Sequence, residues 1–139
     1  MKTIDNFKKI RNMKNLFSVK DKVVVITGAA GILGTAMVRH FAEEGAKVVV
    51  LDRNEAAGNR LVDEVNAKGQ TALYLYSDVL DKPTLESNYQ AIMDRFGQID
   101  VLINAAGGNM AGATIAPDKT IFDLDLEAVR KVVDLNLFG

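Results

Sequence analysis

Two apolar runs, KVVVIT at residues 22–27 and KVVVL at residues 47–51, leave this chain few folds to choose from. Neither run alternates with polar residues. A strand wet on one face alternates, whereas a strand buried on both faces reads as a continuous β-branched stretch. Between the runs, residues 31–44 place Leu33, Met37, Val38 and Phe41 three and four apart, the spacing of one helical face, and Gly45 stops the helix. The pattern then repeats. Residues 54–68 are helical through Ala57, Leu61, Val62 and Val65, ending at Gly69, and residues 71–76 read as a third strand. Pro83 suits the first turn of a third helix that carries Leu85, Tyr89, Ile92, Met93 and Phe96 on one face and ends at Gly97. Residues 99–103 (IDVLI) read as a fourth strand, followed by a Gly/Ala-rich loop to about residue 120. Asp125 then caps a helix through Val129, Val132, Val133 and Asn136. Strands alternating with helices of this length form right-handed crossovers, so the expectation is an α/β fold: a doubly wound parallel sheet with helices on both faces.

Length sets the scale. The 139 residues make about one domain. Four strands are clear, where a doubly wound dinucleotide fold uses about six, and the final helix reads as cut at LNLFG. The expected organisation is a basic leader over residues 1–20, then the N-terminal part of a longer domain over residues 21–139. Net charge is −1, which recommends no nucleic acid partner. The absence of Cys excludes disulfides, thiol nucleophiles and Cys-ligated zinc, and a single His, His40, leaves little for a metal, so no metal site is expected. No apolar run near the start approaches the ~20 residues of a membrane helix. The basic start (Lys2, Lys8, Lys9, Arg11, Lys14, Lys20, Lys22) has no apolar segment behind it and reads as a solvated leader, a short helix on the domain, or an arm for anions. A cytoplasmic protein without membrane contact is expected.

The loop after the first strand carries the chemistry. Thr27-Gly28-Ala29-Ala30-Gly31-Ile32-Leu33-Gly34 sits between strand and helix, the context in which a glycine-rich turn acquires meaning. Gly28 permits the sharp turn, Gly31 lets backbone approach a pyrophosphate, and Gly34 lets helix pack close to strand. The helix start offers free N–H groups and a positive dipole end to phosphates. No Lys-Ser/Thr follows, which disfavours a nucleoside-triphosphate loop. A tight turn without ligand is the plain alternative. Asp52 closes the second strand, 18 positions after Gly34, where an acid accepts hydrogen bonds from an adenosine ribose. Its charge favours NAD over NADP, although the adjacent Arg53 is a group able to bind a 2′-phosphate. Asp52 would otherwise merely start the turn into Asn54. Asp78, ending the third strand in SDV, either meets an adenine amino group or caps the loop before Asp81 and Pro83. The fourth strand ends in INAAGG, whose small residues let a flat ring lie against the sheet's carboxyl edge.

With these pieces in place the chain resembles the short-chain dehydrogenase/reductase family. The matching motifs are TGAAGILG, the strand-end Asp52, DV at Asp78-Val79, NAAG at residues 104–107 and NLFG at residues 136–139, in the family's order from about residue 16 onward. GGN after NAA, with IFDLDLEAVRKVVDLNLFG, is similar to the D-mannonate oxidoreductase (fructuronate reductase) branch, and gluconate 5-dehydrogenase-like members come next. The resemblance implies a Rossmann-type fold, NAD as cofactor with NADP as the alternative, and reversible hydride transfer between nicotinamide and a carbonyl or secondary alcohol. It implies a small-molecule substrate, such as a sugar acid, and a homo-oligomer for the full-length protein. It implies that Gly28, Gly31, Ile32 and Leu33 line the pyrophosphate, Asp52 the ribose, and Asp78 and Val79 the adenine. Asn104, Ala105 and Gly107 would lie along the nicotinamide ribose, and Asn136 matches the catalytic Asn that supports a relay water.

Two departures stand out. The middle glycine of the turn, Gly31, falls one place earlier than in the family's commonest pattern. The Tyr-x-x-x-Lys pair, and the Ser before it, are absent: Tyr74, Tyr76 and Tyr89 are followed four places on by Asp78, Leu80 and Met93. A tyrosine near pKa 10 is a poor base at neutral pH without a cationic neighbour, so the chain as written is expected to hold part of a cofactor but has no group to move the proton. Two other classes compete with an oxidoreductase. A Rossmann-like methyltransferase shares the glycine turn and the acid but has no need of Thr27 or NAAG. A nucleotide-binding regulator shares everything but catalysis. In the loop beyond residue 107, Asn109, Thr114 and Lys119 read either as contacts for a sugar acid or as solvated loop residues.

Overall fold

A computed structural model describes residues 17–139. The leader expected over residues 1–20 falls largely outside the described residues. Four strands, β1 (Val23–Thr27), β2 (Lys47–Asp52), β3 (Thr71–Tyr76) and β4 (Val101–Asn104), form one parallel sheet in the order β3-β2-β1-β4. Helices α1 (Ile32–Glu43), α2 (Glu55–Ala67) and α3 (Lys82–Phe96) make the crossovers. The chain steps outward from β1 through β2 to β3, then returns to place β4 on the other side of β1. That reversal opens a crevice at the carboxyl ends of β1 and β4, where open α/β sheets collect ligands.

The unalternating strands are buried on both faces, as their composition requires. All five residues of β1 are buried. Val24, Ile26, Val48 and Val50 pack on one face with Val38 and Ala42 of α1 and Leu61 and Val65 of α2. Val23, Val25, Val49 and Leu51 point to the other face and meet Ile92 of α3. Each such side chain contributes about 1.5–3 kcal/mol when fully buried.

Three details depart from the reading of the sequence. β4 starts at Val101 rather than two residues earlier, because Asp100 acts as a clasp. Its carboxylate accepts the Val23 N–H (2.8 Å) and the Lys22 ammonium (2.8 Å), while its own N–H donates to Val23 O (3.0 Å). On α3, Ile92 is buried, but Tyr89 is 55% exposed. Asn88 takes the inward position instead and donates to Tyr76 O (2.9 Å). The Tyr89 side of α3 borders an open apolar hollow rather than a packed element. Finally, the last helix, α4 (Leu126–Val133), is capped by Asp125 as expected but widens into a π-turn over Asp134–Phe138 that contains Asn136. No helix among the described residues is long and apolar enough to cross a membrane.

Candidate functional site

A cleft of about 390 Å³ lies at the crevice between the β1 and β4 ends. It is lined by Gly28, Gly31, Ile32, Leu33, Asp52, Arg53, Asp78, Val79, Ala105 and Gly107, which the sequence singled out, together with Gly34, Ser77, Ala106 and Leu135. One surface therefore gathers residues spread over more than a hundred positions of chain. Asn104 lies apart from it and lines the apolar hollow beside α3, with Thr27 and Leu102.

The floor is glycine for steric reasons. Gly28 adopts a left-handed φ of +63°, and a Cβ there would lie 2.8 Å from Ala105 O and from Ala106 Cα. A Cβ on Gly34 would strike Gly28 O and lie 2.6 Å from Ala29 Cα. Gly31 differs: its φ is −72°, and its nearest neighbour would be Gly28 O at 3.2 Å. Gly31 occupies the N-cap of α1 without any side-chain cap, and the first turn of α1 holds no acidic residue. The amides of that first turn are thus left without a side-chain acceptor beside the cleft, a ready anion site.

Asp52 is held from both sides. One carboxylate oxygen accepts the Ala30 N–H of the glycine turn and the other accepts the Asn54 N–H, each at 2.9 Å. It starts the turn into α2, as the plainer reading of this acid has it, and it also spans to the loop that floors the cleft. Asp78 likewise accepts the Leu80 N–H (3.0 Å) and faces the cleft, where it meets the Arg53 guanidinium at 3.6 Å. Arg53 is accordingly turned toward Asp78.

Thr27 was not singled out by its chemistry, yet its hydroxyl accepts the N–H groups of both Ala105 and Ala106 at 3.0 Å. It fixes the NAAG backbone over Gly28. A hydroxyl ending an otherwise apolar strand was the available signal. Asn136 performs the matching task two residues further along the same loop. Its side chain accepts from Gly108 N (3.1 Å) and donates to Gly108 O (2.8 Å) and Val132 O (2.7 Å). A Cβ on Gly107 would lie 2.7 Å from the Asn136 amide oxygen. Asn136 therefore braces the loop along the cleft, and its polar atoms are engaged there. The cleft contains a buried polar surplus as well, since the Ser77 hydroxyl has no partner.

No tyrosine lines the cleft. Tyr74 donates to Asp52 O (2.8 Å) from below the site, while Tyr76 and Tyr89 are 46% and 55% exposed. Asn109 donates to Thr114 Oγ1 (2.9 Å), so these two loop residues serve each other.

Comparison with known proteins agrees with this geometry. The family described as short chain dehydrogenase matches residues 22–139. An uncharacterised oxidoreductase of Bacillus subtilis, UxuB, is 37% identical over 126 residues, covering 85% of this chain and 45% of its own. A 2,5-dichloro-2,5-cyclohexadiene-1,4-diol dehydrogenase of Sphingobium indicum is 43% identical over 86 residues, covering 62% of this chain and 34% of its own. Among solved structures, a protein from Haemophilus influenza provisionally named D-mannonate oxidoreductase, with bound NAD, superposes with a TM-score of 0.80. It is 30% identical, with 88% of this chain and 47% of that one covered. An NAD+-bound xylitol dehydrogenase gives a TM-score of 0.77 at 30% identity, with 87% and 44% covered. The chain spans about half the length of the curated relatives it matches. With the sheet order, the glycine floor, the strand-end acid and these matches in agreement, the chain belongs to the short-chain dehydrogenase family.

Proposed function

We propose that this chain holds NAD(H) for an oxidoreductase that passes hydride between nicotinamide and a carbonyl or secondary alcohol, of a sugar acid such as fructuronate or mannonate. The observation that carries this reading is the uncapped N-terminus of α1, which opens beside Asp52 at the reversal of strand order. The cradle suits a dinucleotide. A Cβ on Gly28 or Gly34 would meet backbone, Gly31 leaves the helix start open, and the strand-end acid lines the same cleft, bonded to the glycine turn through the Ala30 N–H. Gly28, Gly31, Ile32 and Leu33 would hold the pyrophosphate through backbone N–H groups, whose positive helix end neutralises part of its charge. Asp52 would accept from the adenosine ribose, and Asp78 and Val79 would border the adenine. Ala105 and Gly107 would line the nicotinamide ribose side, with Asn136 holding that wall in place. When bound, the nicotinamide supplies or accepts the hydride. The sugar-acid assignment is supported by the name of the D-mannonate neighbour, while the xylitol dehydrogenase supports a polyhydroxylated substrate more broadly.

NAD rather than NADP follows from charge. The Asp52 carboxylate repels a 2′-phosphate, and Arg53, the one cation lining the cleft among the described residues, is paired with Asp78. A hydrogen bond to a charged acceptor is worth about 1.5–3 kcal/mol, or roughly 10–100-fold in affinity. Fluorescence titration of the full chain with NADH and NADPH checks this: NADH is expected to bind at least tenfold tighter, and Asp52→Ala to remove the difference. Assayed alone with fructuronate or mannonate, the chain is expected to show no turnover, since no Tyr-x-x-x-Lys pair moves the proton. Preference for NADPH would transfer the control to Arg53, and turnover by the purified chain would refute the account of the missing pair.

A further inference from the structure

Gly58 lies in the first half of α2, where glycine weakens a helix relative to alanine. The structure shows what occupies the vacant space. A Cβ at Gly58 would overlap the Cδ2–Cε2 edge of the Tyr74 ring and lie 3.2 Å from its Cγ. The ring of this β3 residue is therefore laid against the bare backbone of α2. Seated there, Tyr74 reaches across to β2 and donates its hydroxyl to the backbone oxygen of Asp52 at 2.8 Å. The same oxygen accepts the Ser77 N–H at 3.1 Å. Asp52 is thus pinned at three atoms: its carbonyl by Tyr74, and its two carboxylate oxygens by Ala30 and Asn54.

Resting on the reading of Asp52 as the ribose acceptor, we propose that Tyr74, seated by Gly58, is a positioning residue for that carboxylate and so a determinant of cofactor choice. The hydroxyl ties the last residue of β2 to the neighbouring strand at the point where the chain leaves the sheet. Loss of that tie lets the strand end shift and the carboxylate lose its aim at a 2′-hydroxyl. The fold itself does not need the hydroxyl, because Ser77 N–H still satisfies the Asp52 oxygen. Burial, followed by the charges of Glu55 and Asp52, pushes the Tyr74 hydroxyl pKa up, so the donor stays protonated wherever the chain is folded and neutral in pH.

The test is the ratio of NADH to NADPH affinity in the full chain, alongside thermal melts. Tyr74→Phe keeps the ring and is expected to weaken NADH about fivefold, the worth of one ordinary hydrogen bond, while leaving NADPH unchanged. Gly58→Ala keeps the hydroxyl but displaces the ring, in a helix that alanine otherwise favours, and is expected to reduce the ratio in the same direction. A purely structural role would lower the melting temperature and leave the ratio at its wild-type value. That result in either folded variant overturns the inference. A folded wild-type chain that binds neither dinucleotide overturns the cofactor reading itself, an outcome distinct from variants that bind as the wild type does.

Discussion

Two glycines three residues apart in one turn carry different burdens. Gly34 is enclosed by backbone, so a side chain there must displace Gly28 and Ala29. Gly31 has ordinary backbone angles and one near neighbour at 3.2 Å, and it faces the cleft. Gly31→Val is therefore expected to leave the domain folded, at an N-cap cost of about 1 kcal/mol, while filling the space the phosphates need. Gly34→Val is expected to lose the fold, with an overpacking cost of at least about 1–3 kcal/mol. Thermal melts and NADH titrations of both variants check the contrast. Near-normal NADH affinity in folded Gly31→Val would remove the pyrophosphate from this turn. The glycines and Asp52 were legible in the sequence because their chemistry is local: a turn, a helix start, an acid at a strand end. Thr27 and Tyr74 were not, because each acts on a residue far along the chain. The partners of Thr27 are 78 and 79 positions away, and nothing in a local window marks them.

Among the elements, the strands with no polar alternation were read most securely, and burial on both faces explains why. β4 was read two residues too early, since IDVLI looks like one apolar run interrupted by an acid. The interruption is the functional part, because Asp100 ties β4 to the start of β1. The Lys22 ammonium, then the Val23 N–H, hold the Asp100 carboxyl below the usual aspartate range. A carboxyl lowered in the folded state stabilises above its unfolded value, and the contribution is lost as pH falls through the folded one. Asp100→Asn is thus expected to lower the melting temperature at pH 7, with wild type and variant converging as pH drops below the ordinary aspartate range. Melts recorded from pH 7 to pH 2 decide it, and a gap constant across that range would remove Asp100 from the clasp. The bridge between α1 and α2 is of another kind. Two Arg39 hydrogen bonds, then Lys68, pull Glu64 down to about 2, but all three side chains are well exposed and solvent screens the gain. Helical spacing puts Tyr89 on one face of α3 with Ile92, yet Tyr89 stays exposed for a longer-range reason. That face looks onto the hollow shared with Leu102, 59% exposed on the edge strand β4, and helical spacing alone does not report which side of a helix finds a neighbour.

For the molecule as a whole, the alternation of strand and helix was enough to foretell a parallel α/β sheet, but not the order β3-β2-β1-β4 that puts the cleft beside β1 and β4. That order is what gathers four of the motifs, the glycine turn, Asp52, Asp78-Val79 and NAAG, into one cleft of about 390 Å³, while a second hollow, apolar and of about 380 Å³, opens on the α3 side and takes Phe138 and Gly139 of NLFG. The two sites are far enough apart in residue content to be told apart by amide shifts. An amide-resolved NMR titration of the full chain with NAD+ tests the central claim. The account predicts that the largest shifts fall on the amides of Gly31, Ile32, Leu33, Asp78, Ala105 and Gly107, while those of Ile92, Ile99 and Leu102 stay put. Shifts centred on Ile92 and Leu102, or none at all in a folded chain, would contradict it.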